Sequence, residues 1–320
     1  LVIMEDDLLV IALGGNAIKQ AEENGTTEEQ FRNVDLTAKQ IARIARQGYR
    51  LVITHGNGPQ AGALLIQQEE GEPEIPAQSL AACGAMTQGQ IGWMIQNRLA
   101  FWLGQEGVHS PVCTVVTQVV VSEQDPDFQD PTKPVGPFYS REEAERLKRE
   151  KGYVIKHVKP HNPKGWRRVV PSPEPQDIVE KEAVKALVAS GAIVIASGGG
   201  GIPVRRNGDG SYSGVEAVID KDRAGFVLAQ AVNARTFLIL TDVEKVYLRY
   251  GRPDASPLDR LTAAQAREYL AQGHFLAGSM GPKVEAALRF AEWSRGEAII
   301  TSLDKALEAM LGKTGTRIGP

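Results

Sequence analysis

Two lysines stand where a chain could set positive charge against an anion. Lys221 follows Asp220 and opens one apolar-periodic run, and Lys283 follows Gly281-Pro282 at the opening of another. At such loop–helix junctions unpaired amides and the helix dipole already favour an anion. Glycine is the second ingredient. The β-branched run at 192–196 stops in Ser197 and then Gly198, Gly199, Gly200 and Gly201. Without Cβ atoms, backbone N–H groups can close around a bulky anion, so this stretch is a candidate phosphate cradle. Two further apolar runs end in the same way, at Gly14-Gly15-Asn16 and at His55-Gly56-Asn57-Gly58. A third lysine, Lys133, lies in Pro131-Thr132-Lys133-Pro134, where the prolines stiffen a loop that could reach over a site. Phosphoryl transfer asks a protein for positioning and for neutralisation of charge on the moving group. Bare amides and lysines supply both. His55 could act as a general base, but a lone histidine beside a loop reads as structural.

These loops need elements to hold them. Strands are expected at 8–13, 51–53, 192–195 and 236–240, with a last one at 298–300. A longer β-branched run covers 111–121. Helices are expected from Thr26, a possible cap, to 47, then at 61–68, 80–103, 140–151, 176–190, 223–232, 261–271, 283–293 and 303–311. On the 80–103 helix, Met86, Ile91, Ile95, Leu99 and Trp102 make an apolar stripe, with Trp93 and Phe101 off it. The off-stripe residues suit a subunit interface or a deeply buried helix. Short apolar strands alternating with helices argue for an α/β fold, a mostly parallel sheet covered on both faces. In such sheets ligands bind beyond the carboxyl ends of the strands, where the glycines fall. Residues 123–175 shift to Pro, Asp, Lys and Arg, after which the α/β pattern resumes. They read as a lid inserted into a single domain spanning 1–320.

Composition excludes several classes. With 42% hydrophobic and 23% charged residues, the 320-residue chain has an ordinary globular balance. Its net charge of −3 gives no overall basic field for nucleic acid or a membrane surface. Cys83 and Cys113 are far apart and lack metal-ligand spacing, so both are expected to be buried free thiols. No apolar run approaches the ~20 residues of a membrane helix, and no signal peptide is evident, so a cytoplasmic location is expected. Gly312-Lys313-Thr314 imitates the end of a P-loop, but Leu307 stands where its first glycine is required. A dinucleotide fingerprint, a nucleophile elbow and the protein-kinase motifs are all missing.

Taken together, Leu13-Gly14-Gly15-Asn16, His55-Gly56-Asn57-Gly58-Pro59-Gln60, Asp220-Lys221-Asp222 and Ser279-Met280-Gly281-Pro282-Lys283 resemble the amino acid kinase superfamily. The insert, with Thr132-Lys133-Pro134-Val135-Gly136-Pro137 and Arg167-Arg168-Val169-Val170-Pro171-Ser172-Pro173, resembles that of the carbamate kinases. The resemblance implies a three-layer α/β/α sandwich with an eight-stranded, mainly parallel sheet, working as a homodimer. It implies reversible transfer of phosphate between ATP and carbamate, with Mg²⁺. Lys133, Lys221 and Lys283 would neutralise the phosphoryl group, and Asp222 would orient the lysines. Gly14, Gly15, Asn16, Gly56 and Asn57 would hold phosphoryl group and carbamate. Gly198, Gly199, Gly200 and Gly201 would line the nucleotide and acceptor site. Thr241, Asp242, Val243, Tyr247 and Met280, with Lys283, would lie near the nucleotide. Another acyl-phosphate-forming kinase, or a non-catalytic nucleotide sensor on the same fold, remains as the alternative.

Overall fold

In the computed structural model, residues 7–20, 22–159, 161–275 and 279–320 are described. In chain order the first half runs β1 (Leu8–Leu13), α1 (Thr27–Ala45), β2 (Arg50–His55), α2 (Gly58–Gly71), α3 (Leu80–Gln105), β3 (Val112–Thr114) and β4 (Gln118–Val121). The insert follows with β5 (Lys133–Tyr139), α4 (Arg141–Lys151), β6 (Ile155–His157) and β7 (Trp166–Val170). The chain returns through β8 (Pro175–Ile178), α5 (Lys181–Ala189), β9 (Ile193–Ile195), β10 (Ile202–Arg206), β11 (Tyr212–Gly214), α6 (Lys221–Ala231) and β12 (Thr236–Thr241). It ends with β13 (Val246–Leu248), β14 (Ser256–Leu258), β15 (Arg260–Thr262), α7 (Ala263–Ala271), α8 (Met280–Ser294), β16 (Glu297–Ser302), α9 (Ala306–Met310) and β17 (Thr316–Gly319).

The main sheet has eight strands in the order β15-β17-β16-β12-β1-β2-β9-β3. From β16 to β3 every pairing is parallel, and only β17 meets β16 antiparallel. Its strands are apolar on both faces, and the period of two sorts them into two cores. Val10, Ala12, Val52, Val194, Phe237 and Ile239 pack with α5, α6, α7 and α8. Leu9, Ile11, Leu51, Ile53, Ile195 and Leu238 pack with α1, α3 and α9 on the other side. The result is the expected three-layer α/β/α sandwich. Thr26 caps α1 in a reciprocal capping box with Glu29.

Some expectations give way. The run at 111–121 is two strands in two sheets: β3 edges the main sheet, and β4 joins a four-stranded sheet ordered β11-β10-β4-β8. The helix expected at 176–190 begins with β8, whose end residues Pro175 and Ile178 are buried while Gln176 is exposed. The helix at 261–271 likewise opens as β15. The strand at 298–300 is not the last, because β17 folds back beside it. Lys133 sits on β5, paired with Val170 of β7, and not on a free loop. Cys83 is buried, whereas Cys113 on the edge strand β3 is only half-buried. On α3, Ile91, Ile95 and Leu99 are buried, but Met86 belongs to the exposed side with Trp93 and Phe101. Gly278 lies outside the described residues. No helix among the described residues is long and apolar enough to cross a membrane.

Candidate active site

Because β1, β2, β9, β12 and β16 are parallel, their carboxyl ends fall on one edge. That edge gathers Gly14-Gly15-Asn16, Gly56-Asn57, the four glycines after Ser197, Thr241-Asp242-Val243 and Ser302. Strand β1 hands over to Gly14, whose N–H continues the ladder to Leu240 O at 3.0 Å, and Gly56 N–H bonds Leu13 O at 3.0 Å. The N–H groups of Gly15, Asn16, Asn57, Gly198 and Gly199 have no acceptor among the described residues. A set of donors left open in this way is what an anion requires.

Asp222 is the electrostatic centre. It lies in the first turn of α6 and is 2% exposed. Lys221 Nζ donates to its Oδ1 at 2.6 Å, and Lys283 Nζ, from the first turns of α8, donates to its Oδ2 at 3.1 Å. Two ammonium groups therefore share one buried carboxylate, one on each oxygen. Burial alone would raise the Asp222 pKa, but the two lysines hold it below the usual carboxylate range. Burial, helped by the charge of Lys283, pulls the Lys221 pKa below that of a free lysine, against the opposing pull of Asp222. With two cations on one anion, the cluster keeps a net positive charge. Asp220, named in the Asp220-Lys221-Asp222 motif without a role, acts here as well. Its Oδ1 caps α6 through Asp222 N–H and Arg223 N–H, while its Oδ2 accepts from Lys133 Nζ at 3.3 Å. The signal was there, an aspartate at the N-cap position next to Lys221. All three predicted lysines thus converge on two aspartates two residues apart.

Glycine sets the spacing of these groups. A Cβ on Gly56 would meet Lys221 Cδ at 3.2 Å and Gly15 N at 3.5 Å, so Gly56 lies close to both the Lys221 stem and the Gly15 amide. Gly199 has φ +67° and its missing Cβ would lie 2.2 Å from Asn57 Nδ2. The two glycine loops therefore touch. His55, at the end of β2, is wholly buried. Its Nδ1 is 3.0 Å from Gly56 O, and since a carbonyl only accepts, Nδ1 carries the proton. Nε2 is then a lone pair, and it has no partner. It faces the open side of Gly198, where a Cβ would come within 2.3 Å. Burial first, and Lys221 after it, push the His55 pKa down to about 4. A neutral imidazole is thus wedged between the two loops.

A cavity of about 760 Å³ opens beside the cluster. Gly14, Gly15, Asn16, Lys221 and Lys283 line one part of it, and Thr241, Asp242, Val243, Tyr247 and Met280 another. Every nucleotide-side residue expected from the sequence is there. Gly56, Asn57, Lys133 and the four glycines at 198–201 do not line it. Gly56 adjoins the Lys221 stem, and Gly199 packs against Asn57. Tyr250, His274, Phe275, Lys39 and Arg43 line the cavity too and were missed. Lys39 and Arg43 sit on α1, and Tyr250, His274 and Phe275 on connecting segments that carry none of the motifs read from the sequence. Among the described residues no cluster of three metal-ligating side chains exists.

Comparison with known proteins follows the same lines. The model of the amino acid kinase family matches residues 7–302. Carbamate kinase of Pyrococcus furiosus is 54% identical over 314 residues, 98% of this chain and 99% of the relative. Carbamate kinase 2 of Enterococcus faecalis is 48% identical over 97% of this chain and 98% of its own. The solved structure of Giardia lamblia carbamate kinase bound to AMP-PNP superposes with a TM-score of 0.92 at 41% identity, covering 98% of this chain and 99% of that one.

Proposed function

This chain belongs to the amino acid kinase family, among its carbamate kinases, and on that premise we propose how its residues carry out the phosphoryl transfer between ATP and carbamate that such an enzyme catalyses. Carbamate is already an anion, so its oxygen needs no general base. The obstacle is repulsion between that oxygen and the γ-phosphate. Lys221 and Lys283 neutralise the phosphoryl group in flight, Asp222 aims them, and Lys133 approaches from the insert over Asp220. Gly14, Gly15 and Asn16 hold the phosphates where the cavity meets the cluster. Tyr247, Met280 and Thr241-Asp242-Val243 receive the rest of the nucleotide. Gly56, Asn57 and the glycines at 198–201 hold carbamate or the carbamoyl group behind the lysines. The observation that carries this reading is the pair of lysines on one buried carboxylate, set between a nucleotide-sized cavity and a wall of unpaired amides.

Mg²⁺ belongs to the same proposal as a companion of the nucleotide. The described residues offer no three-ligand cluster, and Asp222 is already engaged by both lysines. The phosphates of ATP or ADP would hold it together with several waters, as is usual for this hard ion. A cytoplasmic place in arginine metabolism fits a carbamoyl phosphate enzyme.

The chain works as a homodimer in this reading, supported by Met86, Trp93 and Phe101, which leave α3 with an exposed apolar side. Residues 123–175 act as a lid that shields a labile acyl phosphate from water. Purified protein mixed with ADP, Mg²⁺ and carbamoyl phosphate should form ATP, while N-acetylglutamate or aspartate with ATP should give nothing. Activity with those acceptors alone would select another acyl-phosphate kinase, and silence in every mixture a sensor. Deleting 124–169 should abolish turnover and leave the dimer intact. A monomer after that deletion would make the insert an interface arm.

A further inference from the structure

The loop from Ser197 to Gly201 spans the gap between β9 and β10, and both of its ends are tied to one residue outside it. Ser197 N–H donates to Thr117 Oγ1 at 3.0 Å, and Ile202 N–H donates to Thr117 O at 2.9 Å. Thr117 lies in the short bridge between β3 and β4, fully buried. Its hydroxyl donates in turn to Val115 O at 2.7 Å. Gln88 of α3, 1% exposed, closes the arrangement with both ends of its amide. Its Nε2 donates to Thr117 O at 3.1 Å, and its Oε1 accepts Thr117 N–H at 2.7 Å.

Every polar atom of Thr117 is thereby engaged, in a place where water does not reach. A buried amide or hydroxyl left without a partner is expensive, so such an arrangement has few alternatives. The loop it suspends is the opposite case. Ser197 takes a left-handed φ of 52°, Gly199 to Gly201 all have positive φ, and the Gly198 and Gly199 N–H groups stay open. Thr87, the neighbour of Gln88 on α3, holds the adjoining loop, accepting from Asn57 Nδ2 at 2.9 Å. One turn of α3 thus fixes both glycine loops.

We propose that Gln88 and Thr117 are positioning residues for the carbamoyl end of the site: they suspend the Ser197–Gly201 loop so that the open Gly198 and Gly199 amides face the acceptor. This rests on the reading of those glycines as the acceptor side. Neither residue touches the nucleotide cavity. Their loss should therefore separate the two substrates. Thr117→Val keeps the shape and removes the hydroxyl, Gln88→Met removes both amide groups, and Thr117→Ser restores the hydroxyl.

In the ATP-forming direction, Thr117→Val and Gln88→Met should raise the KM for carbamoyl phosphate at least ~10-fold. ADP affinity by calorimetry should stay within about twofold, and Thr117→Ser within about threefold of the parent on both counts. Hydrogen exchange of a peptide covering 196–203 should quicken in Thr117→Val and return in Thr117→Ser. A Thr117→Val protein with parental carbamoyl phosphate KM and parental exchange overturns the proposal. If that variant fails to fold, Gln88→Met, which leaves the hydroxyl in place, decides on the same criteria. Gly199→Ala, whose Cβ would strike Asn57, separates the two layers. An unchanged carbamoyl phosphate KM in Gly199→Ala sinks the acceptor reading itself. A raised one beside a parental Thr117→Val sinks only the suspension.

Discussion

The sheet edge and the insert both bring lysine to the same pair of aspartates, and they hold it in opposite ways. Lys221 and Lys283 have side chains 15% and 14% exposed, on a carboxylate that is 3% exposed. Lys133 is 39% exposed and meets Asp220 at 3.3 Å. The first pair stands on helices packed against the central sheet. The insert has only a small core of Tyr139, Ala144, Leu147 and Ile155. It is fastened to the body by Val135 and Val170, buried against Leu65, Leu80 and Cys83, and by side chains reaching across: Tyr139 to Glu69 at 2.8 Å, Lys151 to Glu72, and Arg168 to Glu216 at 2.9 Å. Charges fixed in a dry site act strongly and need no reorganisation when the reaction occurs. Exposed ion pairs contribute little and break easily. On the proposed reading of 123–175 as a lid, the sheet edge is built to be ready and the insert to move.

The largest test of that difference is to remove charge on each side. Lys221→Ala should lower kcat by about 10²–10³, the cost of one preorganised donor, with a modest change in KM. Lys133→Ala should cost less, because its contact is exposed and depends on the insert. Equal losses would erase the distinction, and normal turnover in Lys221→Ala would remove that residue from the mechanism. The alkaline limb adds direction. A depressed Lys221 pKa means that kcat falls at a lower pH than the 10.5 of an ordinary lysine. Asp222→Asn removes the charge that holds this proton, so any residual activity should fall off at lower pH still. A pH–rate profile of the variant matching the parent's would break this link.

A second test concerns the wedge between the glycine loops. Unfolded, His55 titrates near 6.5, and folded near 4. Unfolding therefore takes up a proton between those values. The stabilising contribution of the neutral ring is complete above pH 6.5 and is lost as pH falls toward 4. Its full size is about 3 kcal/mol, from roughly 1.4 kcal/mol per unit. Denaturant unfolding of His55→Asn at pH 4.5 and 7 should show a smaller difference than the parent does. Equal differences would mean that His55 stays neutral in both states or charged in both.

The sheet edge was legible in sequence because its two signals are local. The apolar run 8–13 ends where β1 ends, the run 236–240 ends one residue before β12 does, and glycine follows β1, β2 and β9. Lys221 and Lys283 were readable because each stands by a helix start. What the sequence hid is long-range pairing. Gln176 and Asp177 look helical until Ile178 is seen opposite Val119. Lys133 looks like a loop residue until β7, more than thirty residues on, pairs with it. Thr117 and Gln88 carry no motif at all, since a buried threonine and a buried glutamine mean something only once each has found the other. Tyr250 and Arg43 escaped for the same reason, because a cavity wall drawn from distant segments has no spacing to read.

The smallest expected effect belongs to the fastening of the insert. Lys151 lies at the end of α4 and is partly exposed, as is its partner Glu72. Pairing with Glu72 raises the Lys151 pKa, so the two do interact in the folded state. Yet an ion pair in this setting loses most of its Coulomb energy to solvent and side-chain entropy. Lys151→Ala should therefore change global stability by less than ~1 kcal/mol in denaturant unfolding. Hydrogen exchange in α4 and β6 should nevertheless rise, because local opening of a lightly held unit costs little. The same substitution should leave exchange in α6 and α8 unchanged. A stability loss of several kcal/mol, or faster exchange in the helices that carry Lys221 and Lys283, would show that the insert and the sheet edge open as one unit. The contrast between a ready edge and a releasable cover would then have no physical basis.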